Sequence, residues 1–409
     1  MIVLKRSEVE EIKEMPPWVL LFGRRKVGKT YLIKNFLDYD VYVAVRRDGS
    51  SLTEGLKLTQ VDSPRDLMDM LGVKMREGRT VVVDEFQRLP KWFIDEIAMQ
   101  HPNGKLILSG SSMRVVNEVL GSRSPLLLLI FPYRLGLVRP RDLLASLTEL
   151  DPVDAVQYGA FLQEPWLTEV LEVSGNIVRW LHKALTVIRF GMPALIGEVF
   201  TESERSLSQV YEAILRGLGA GLWRPGDLAH RLHNTGLLAN GGSNYILPYI
   251  KNLETMGLVT SVPIFRMKKR KVYRLASPLM DTYYYMADKH QTDEVDRPFN
   301  EVRENLRRMI SQGLERFIAR YYAEAEQGRL EYSFDPELDF IITQGRERRP
   351  SVVGEVRWGK YTRRDVLDFD HKVNDLGCRK VFIVKKRTGK EWVNEVEVVE
   401  AADLVREST

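Results

Sequence analysis

Between Trp18 and Leu108 the chain alternates short apolar runs with stretches of helical periodicity. Trp18–Phe22, Val41–Val45, Thr80–Val83 and Leu106–Leu108 are almost wholly apolar and show no polar alternation. Such runs predict strands of a sheet that is covered on both faces. Within Pro64–Glu77, Leu67, Met70, Leu71 and Met75 recur at helical spacing, and Tyr31–Phe36 begins another helix. Ser7, with Glu10 three residues later, predicts a capped helix before the first strand. The unbroken run Leu126–Phe131, between Pro125 and Pro132, reads as one more buried strand. Strands separated by helices predict an α/β core with a parallel sheet over residues 1–150.

Beyond residue 150 the pattern changes. Residues 151–205 read as helical, including Leu167–Leu185. Within 206–290, Val210, Ile214, Leu215 and Leu218 mark one helix, Leu228–Leu232 a second and Tyr245–Met256 a third, which Gly257 ends. Two β-like stretches follow, Leu258–Phe265 and Lys271–Leu275. Helix, turn, helix, helix, hairpin is a winged-helix order. The polar stretch Asp288–Arg297 reads as a linker. A helix over Val302–Ala325 and strands near Tyr332, Asp339, Val352 and Val381 then predict an α/β domain over 298–409.

The 409 residues are 44% hydrophobic, enough for several buried cores. Cys378 is the only cysteine, which excludes an intrachain disulfide and fits a reducing compartment. The N-terminus turns charged too early for a secretory signal, and no apolar run approaches the roughly 20 residues that span a bilayer. A cytoplasmic protein is expected. The net charge of +4 says little, but its distribution says more. Residues 206–290 carry 11 Lys and Arg against 5 Asp and Glu. The excess concentrates in Arg266, Lys268, Lys269, Arg270, Lys271 and Arg274, at the expected wing. These cations are expected to track the phosphate backbone of DNA, with strong salt dependence. The alternative is a solvated hairpin used for protein contact. Tyr283–Tyr285 reads as packing after the wing. Residues 298–409 are neutral, with 21 basic and 21 acidic residues.

The chemistry concentrates in two places. Gly23-Arg24-Arg25-Lys26-Val27-Gly28-Lys29-Thr30 fits the phosphate-binding pattern G-x-x-x-x-G-K-[ST], between a strand and a helix as that pattern requires. A glycine-rich turn gathers main-chain N–H groups on phosphate oxygens, and the helix N-terminus adds positive potential. Lys29 is expected to reach the β and γ phosphates of ATP, and Thr30 to offer its hydroxyl to Mg²⁺. Asp84, ending the strand Thr80–Val83, is a second Mg²⁺ candidate, and Glu85 a candidate to polarise the attacking water. Ser109 or Ser111 is expected to sense the γ-phosphate, with Ser109 preferred because it lies nearest its strand end. The alternatives are a solvated strand end and a serine-rich loop. In the C-terminal region, Glu315, Asp339 and Glu355 stand out. Asp339 and Glu355 can converge at the end of a strand hairpin, where paired carboxylates hold Mg²⁺ for phosphodiester cleavage. Alternatively these acids merely cap strands.

The glycine loop, Val83-Asp84-Glu85-Phe86-Gln87, Leu108-Ser109-Gly110-Ser111, Ser124-Pro125-Leu126 and Gly191-Met192-Pro193 occur in an order that resembles the archaeal P-loop ATPases related to AAA-type and signalling (STAND-like) ATPases. The resemblance implies a helical lid over 151–205, a winged helix over 206–290 and a restriction-endonuclease-like domain over 298–409. Asp339, Glu355 and Arg357 resemble that domain's D…E-x-K pattern, with Arg357 where lysine is usual. A guanidinium cannot act as a base; Lys360 or Lys372 are the nearby lysines. The family often has an arginine shortly after Ser-Pro-Leu, but here leucines follow. An arginine finger then falls to Arg123, Arg134 or another subunit. The expected function is Mg²⁺-dependent ATP hydrolysis driving a conformational switch in a DNA-associated process. The alternatives are a signalling switch that recruits a protein partner and an ATP-regulated DNA nuclease.

Overall fold

The computed structural model describes residues 2–54, 59–100, 103–111, 113–197, 208–389 and 392–409. The chain divides into two compact units, Arg6–Gly136 and Leu137–Thr409, the second joined by the first few residues.

In the first unit, α1 (Glu8–Lys13) precedes β1 (Trp18–Phe22), α2 (Lys29–Phe36) and β2 (Val41–Val45). Then follow β3 (Ser51–Glu54), β4 (Thr59–Val61), α3 (Pro64–Arg76), β5 (Thr80–Asp84), α4 (Trp92–Gln100), β6 (Lys105–Gly110), α5 (Met113–Val119) and β7 (Phe131–Arg134). The sheet runs β4-β3-β2-β5-β6-β1-β7. From β2 to β7 every pairing is parallel. Leu20, Val81, Val83, Leu106 and Leu108 pack into one apolar layer, and Val19, Leu21, Val82 and Ile107 into the other. Successive residues of a strand face opposite sides, so burial on both faces explains why these strands lack polar alternation.

Two expectations are corrected here, and two unexpected strands are added. The sheet is extended by β3 and β4, which pair antiparallel; their polar sequences carry no apolar run to announce them. Ser7 adopts helical backbone angles and does not cap α1. Leu126–Phe131 is not a buried strand. Ser124 O accepts from Leu127 N, and Leu126 O from both Leu129 N and Ile130 N. These tight turns bury Leu126 and Ile130 and leave Leu127, Leu128, Leu129 and Phe131 exposed, Leu128 by 85%. The strand begins only at Phe131.

The second unit opens with α6 (Pro140–Ser146), so the first ends at Gly136, ahead of the expected boundary at 150. Helices α7 (Pro152–Leu162), α8 (Leu167–Val170), α9 (Ile177–Ile188) and α10 (Gly191–Gly197) follow. Leu167–Leu185 is therefore not one helix. Gly175 takes φ 78°, and Asn176 accepts from Val178 N and Arg179 N to start α9 afresh. Residues 198–205 of the expected lid lie outside the described residues. Next come α11 (Ser208–Gly219), α12 (Pro225–Asn234), α13 (Ser243–Thr255) and the antiparallel hairpin β8 (Val259–Pro263) and β9 (Lys271–Leu275).

Helix α14 (Pro278–His290) leads into α15 (Phe299–Ala325), the spine of the unit. A sheet of β10 (Arg329–Phe334), β11 (Glu337–Gln344), β12 (Arg349–Arg357), β13 (Arg379–Val384), β14 (Trp392–Val393) and β15 (Val396–Glu400) runs β10-β11-β12-β13-β15-β14, with α16 (Arg363–Lys372) and α17 (Ala401–Arg406) completing the chain. Helix α15 buries Leu306, Leu314, Phe317, Ile318 and Tyr322 in the same core as Phe340, Ile342 and Val352 of the sheet. Arg316 of α15 pairs at 2.6 Å with Asp281 of α14, both buried. The hairpin docks on the edge of the sheet: Phe265 N donates to Tyr332 O, and Ile264 bridges Tyr332.

Tyr322 stacks on Phe340, 5.2 Å between ring centres, directly over Gly354. A Cβ at Gly354 would lie 2.1 Å from the Phe340 ring. Gly354→Ala is expected to lower stability by about 1–3 kcal/mol through overpacking. The check is the urea midpoint followed by near-ultraviolet circular dichroism; an unchanged midpoint would contradict this packing.

Candidate nucleotide site and C-terminal acid cluster

Strand β1 delivers the chain into Gly23–Gly28, and α2 begins at Lys29. Lys26 (φ 64°) and Gly28 (φ 91°) are left-handed, which folds the loop tightly and turns main-chain N–H groups to its concave side. A Cβ at Gly23 would lie 2.2 Å from Leu135 O, so this position admits only glycine. Arg6 Nη2 donates to Val27 O at 2.5 Å and braces the loop from outside. Lys29 Nζ donates to Gly23 O at 2.8 Å and Arg24 O at 3.0 Å. Burial lowers the Lys29 pKa to about 8. Of the other loop residues, Arg24 and Val27 are buried, Arg25 is partly exposed and Lys26 is exposed.

Asp84 is the junction of the site. Its Oδ2 accepts from Thr30 Oγ1 at 2.7 Å and from the Tyr42 hydroxyl at 2.8 Å, while Oδ1 accepts from Glu85 N at 3.0 Å. Tyr42 is held well above its ordinary pKa, first by burial and then by the Asp84 charge, so it remains a donor. Glu85 takes φ 58°. Its Oε2 accepts from Gln87 Nε2 at 2.6 Å and lies 3.3 Å from Arg88 Nη2, while Arg88 Nη1 donates to Val45 O. Gln87 Nε2 also lies 3.4 Å from Ser111 Oγ. Ser109 is fully buried in register with Asp84, and its hydroxyl has no partner among the described residues. Ser111, rather than Ser109, thus joins the Glu85 network. Ser112 is outside the described residues. Arg123 and Arg134 are both exposed.

The oxygens of Thr30, Asp84 and Glu85 are hard donors that suit a divalent cation such as Mg²⁺. Among the described residues, no group of three or more His, Cys, Asp and Glu could hold a metal ion unaided. Sequence reasoning missed Tyr42, Gln87 and Arg88. Tyr42 looks like any aromatic in an apolar strand, and only strand order places it beside Asp84.

In the second unit, Glu315 of α15, Asp339 of β11 and Glu355 of β12 come within electrostatic reach of one another. Burial, then the Asp339 charge, raises the Glu315 pKa to about 7. Burial, then the Glu355 charge, raises that of Asp339 to about 6, although Asp339 Oδ2 accepts from Val356 N at 2.7 Å. Glu355 is ion-paired to Arg357 at 2.8 Å and to Lys372 at 3.6 Å. Lys372, rather than Lys360, is the lysine that reaches this cluster.

Arg266, Lys268, Lys269, Arg270 and Lys271 are exposed around the hairpin tip. Arg274 is different and leaves this group. Its guanidinium lies 3.8 Å from the Trp223 ring centre and 5.4 Å from that of Tyr332, and burial lowers its pKa to about 10. In a β-hairpin the residues near the tip stay in water, while the strand's inner end enters the core. Tyr283 and Tyr284 are buried, Tyr284 donating to Glu212 at 2.9 Å, so this run is packing.

Residues 15–125 match the AAA domain family. The first unit is therefore a P-loop ATPase domain on a largely parallel α/β sheet, and such a domain binds nucleotide with a divalent metal. No curated protein matches the chain. Among solved structures, the Aeropyrum pernix Orc1 protein in complex with DNA is similar at 15% identity and a TM-score of 0.30, covering 72% of this chain and 96% of that one. Cdc6p from Pyrobaculum aerophilum is similar at 12% identity and a TM-score of 0.23, covering 73% and 88%. Likeness this low carries no functional conclusion.

Tyr42→Phe keeps the ring and deletes one hydrogen bond to a buried carboxylate. Bonds to charged groups contribute about 1.5–3 kcal/mol. Folding stability is therefore expected to fall by about that amount, and ATP turnover to fall with it as Asp84 loses an orienting donor. Full turnover in Tyr42→Phe would remove Tyr42 from the site.

Proposed function

We propose that this chain is a Mg²⁺-dependent ATPase whose hydrolysis cycle drives a conformational switch in a DNA-associated process. The observation that carries the reading is the convergence of Thr30 and Asp84 at the mouth of the glycine loop, with Glu85 one residue away. In this reading the loop N–H groups and Lys29 receive the triphosphate, and Thr30 and Asp84 hold Mg²⁺. The bound cation supplies neutralisation of charge on the phosphoryl oxygens. Glu85 orients the attacking water, and Gln87 and Arg88 fix the direction of its carboxylate. Loss of the γ-phosphate removes the bonds made to it, which is the basis of a two-state switch.

The order of α11, α12, α13 and the β8–β9 hairpin supports reading residues 206–290 as a winged helix. The exposed cations of its tip favour DNA as partner. The sheet over 298–409, with Asp339 and Glu355 on adjacent strands, supports a restriction-endonuclease-like domain. The tying of Glu355 to Arg357 and Lys372 argues for binding rather than cleavage there. Among the described residues no helix is long and apolar enough to cross a membrane, and we place the protein in the cytoplasm. A second reading, a switch that recruits a protein partner, is favoured by exposed Leu127, Leu128, Leu129 and Phe131 in the ATPase unit.

Glu85→Gln is expected to slow ATP hydrolysis by about 10²- to 10⁴-fold while nucleotide binding persists. Rapid turnover in that variant would overturn the assignment of Glu85. Alanine at Arg266, Lys268, Lys269, Arg270 and Lys271 together should flatten the dependence of log K for duplex DNA on log salt, by roughly 0.9 for each phosphate no longer neutralised. An unchanged slope, with ATP turnover indifferent to DNA, would leave the protein-partner reading.

A further inference from the structure

Where β8 and β10 separate beyond the Ile264–Tyr332 bridge, they leave a cavity of about 500 Å³ floored by α15. Its walls carry Arg274 and Thr260 from the hairpin, Glu315 from the helix, and Tyr332 and Asp339 from the sheet. Several charges around it are satisfied within the protein: Arg316 pairs with Asp281, Arg320 donates to Gln163 Oε1 and Ala276 O, and Glu331 pairs with Arg348. Arg274 is not among them. Its Nε is shut off from solvent and donates to no acceptor among the described residues. The rest of the guanidinium is half-buried and lines the cavity with no acceptor among the described residues, and a charged donor so placed favours a partner.

The geometry around Arg274 favours an anion. Trp223 lies against the face of the guanidinium and Tyr332 flanks it. Stacking fixes the plane of the group and leaves its Nη groups to grip phosphate in that plane. Glu315 and Asp339 line the same cavity and supply negative charge. They disfavour a bare anion but accept hydrogen bonds from amino or hydroxyl groups. A ligand with an anionic end and a donor-bearing end meets both kinds of group. The volume is in the range of small-molecule sites.

We propose that this cavity, separate from the glycine loop, is a second nucleotide site in which Arg274 receives the phosphate and Glu315 and Asp339 receive donors of the base or sugar. The nucleotide is either free or the 5′-terminal residue of a DNA strand; both present the same phosphate. The site does not depend on the ATPase reading.

The test uses the full chain carrying Lys29→Ala, which weakens the first site, and titration calorimetry with four probes: deoxyadenosine monophosphate, deoxyadenosine, inorganic phosphate and a 5′-phosphorylated single-stranded hexanucleotide. Deoxyadenosine monophosphate or the hexanucleotide should bind at least tenfold more tightly than deoxyadenosine or phosphate. A preference for the hexanucleotide identifies a strand end; equal or better binding of the mononucleotide identifies a free ligand. Arg274→Gln should weaken that binding at least tenfold. Thr260→Trp, which fills the cavity and leaves Arg274 in place, should do the same and guards against misfolding of the first variant. ATP turnover by Arg274→Gln in an otherwise unaltered chain reports the glycine loop separately. No binding by either nucleotide probe, or binding indifferent to both substitutions, overturns the proposal whatever the ATPase result.

Discussion

The carboxylate of Asp84 is the constraint around which the first unit is organised. An ionised group this deeply enclosed is tolerated only when its lone pairs are met. Three elements meet them: Thr30 from the first turn of α2, Tyr42 from β2, and the main-chain N–H of Glu85. The parallel order β2-β5-β6-β1 is what brings these donors together. The same bonds tie the glycine loop to the strand that carries Glu85. In the proposed function, binding and water activation are thereby linked through one side chain.

The second unit uses buried charge differently. Arg316 and Arg320 sew α15 to α14, to the end of β9 and to α7, each donating to groups that cannot reach water. Desolvating so many guanidinium groups adds little net stability, since the Coulomb gain is set against a large hydration cost. Their effect is geometric. They hold the hairpin at a fixed height above the helix, and the bridge from Ile264 to Tyr332 closes one end of the gap. What is left is a cavity lined by both arginines and carboxylates. The exposed tip and Arg274 belong to one hairpin, its outer residues in water and its inner arginine lining the cavity.

Glu85 shows how local chain direction sets chemistry. Its left-handed backbone turns the side chain toward Gln87 and Arg88, two and three residues ahead. Strain of this kind persists where surrounding structure over-determines it, and here Gln87 and Arg88 hold the side chain while Asp84 accepts from its main-chain N–H. Ser111 enters the same network through Gln87, while Ser109 stays sealed in its strand.

The glycine loop, Asp84, Glu85 and the strands around them were legible from residue order alone. Their signals are local: a fixed spacing, a short apolar run, a helix that follows. The helix–helix–helix–hairpin succession was legible for the same reason. Polar strands β3 and β4 were not, because a strand that adds to a sheet edge needs no apolar pattern of its own. The leucine run after Pro125 misled in the opposite direction, since hydrophobicity marks a preference for burial and cannot say whether tight turns will permit it. Tyr42 beside Asp84, and Arg274 in one cavity with Glu315 and Asp339, were decided only by tertiary structure. Each joins residues far apart in sequence. A side chain's partners across a sheet or a cavity depend on strand order and helix placement, and no spacing along the chain encodes those.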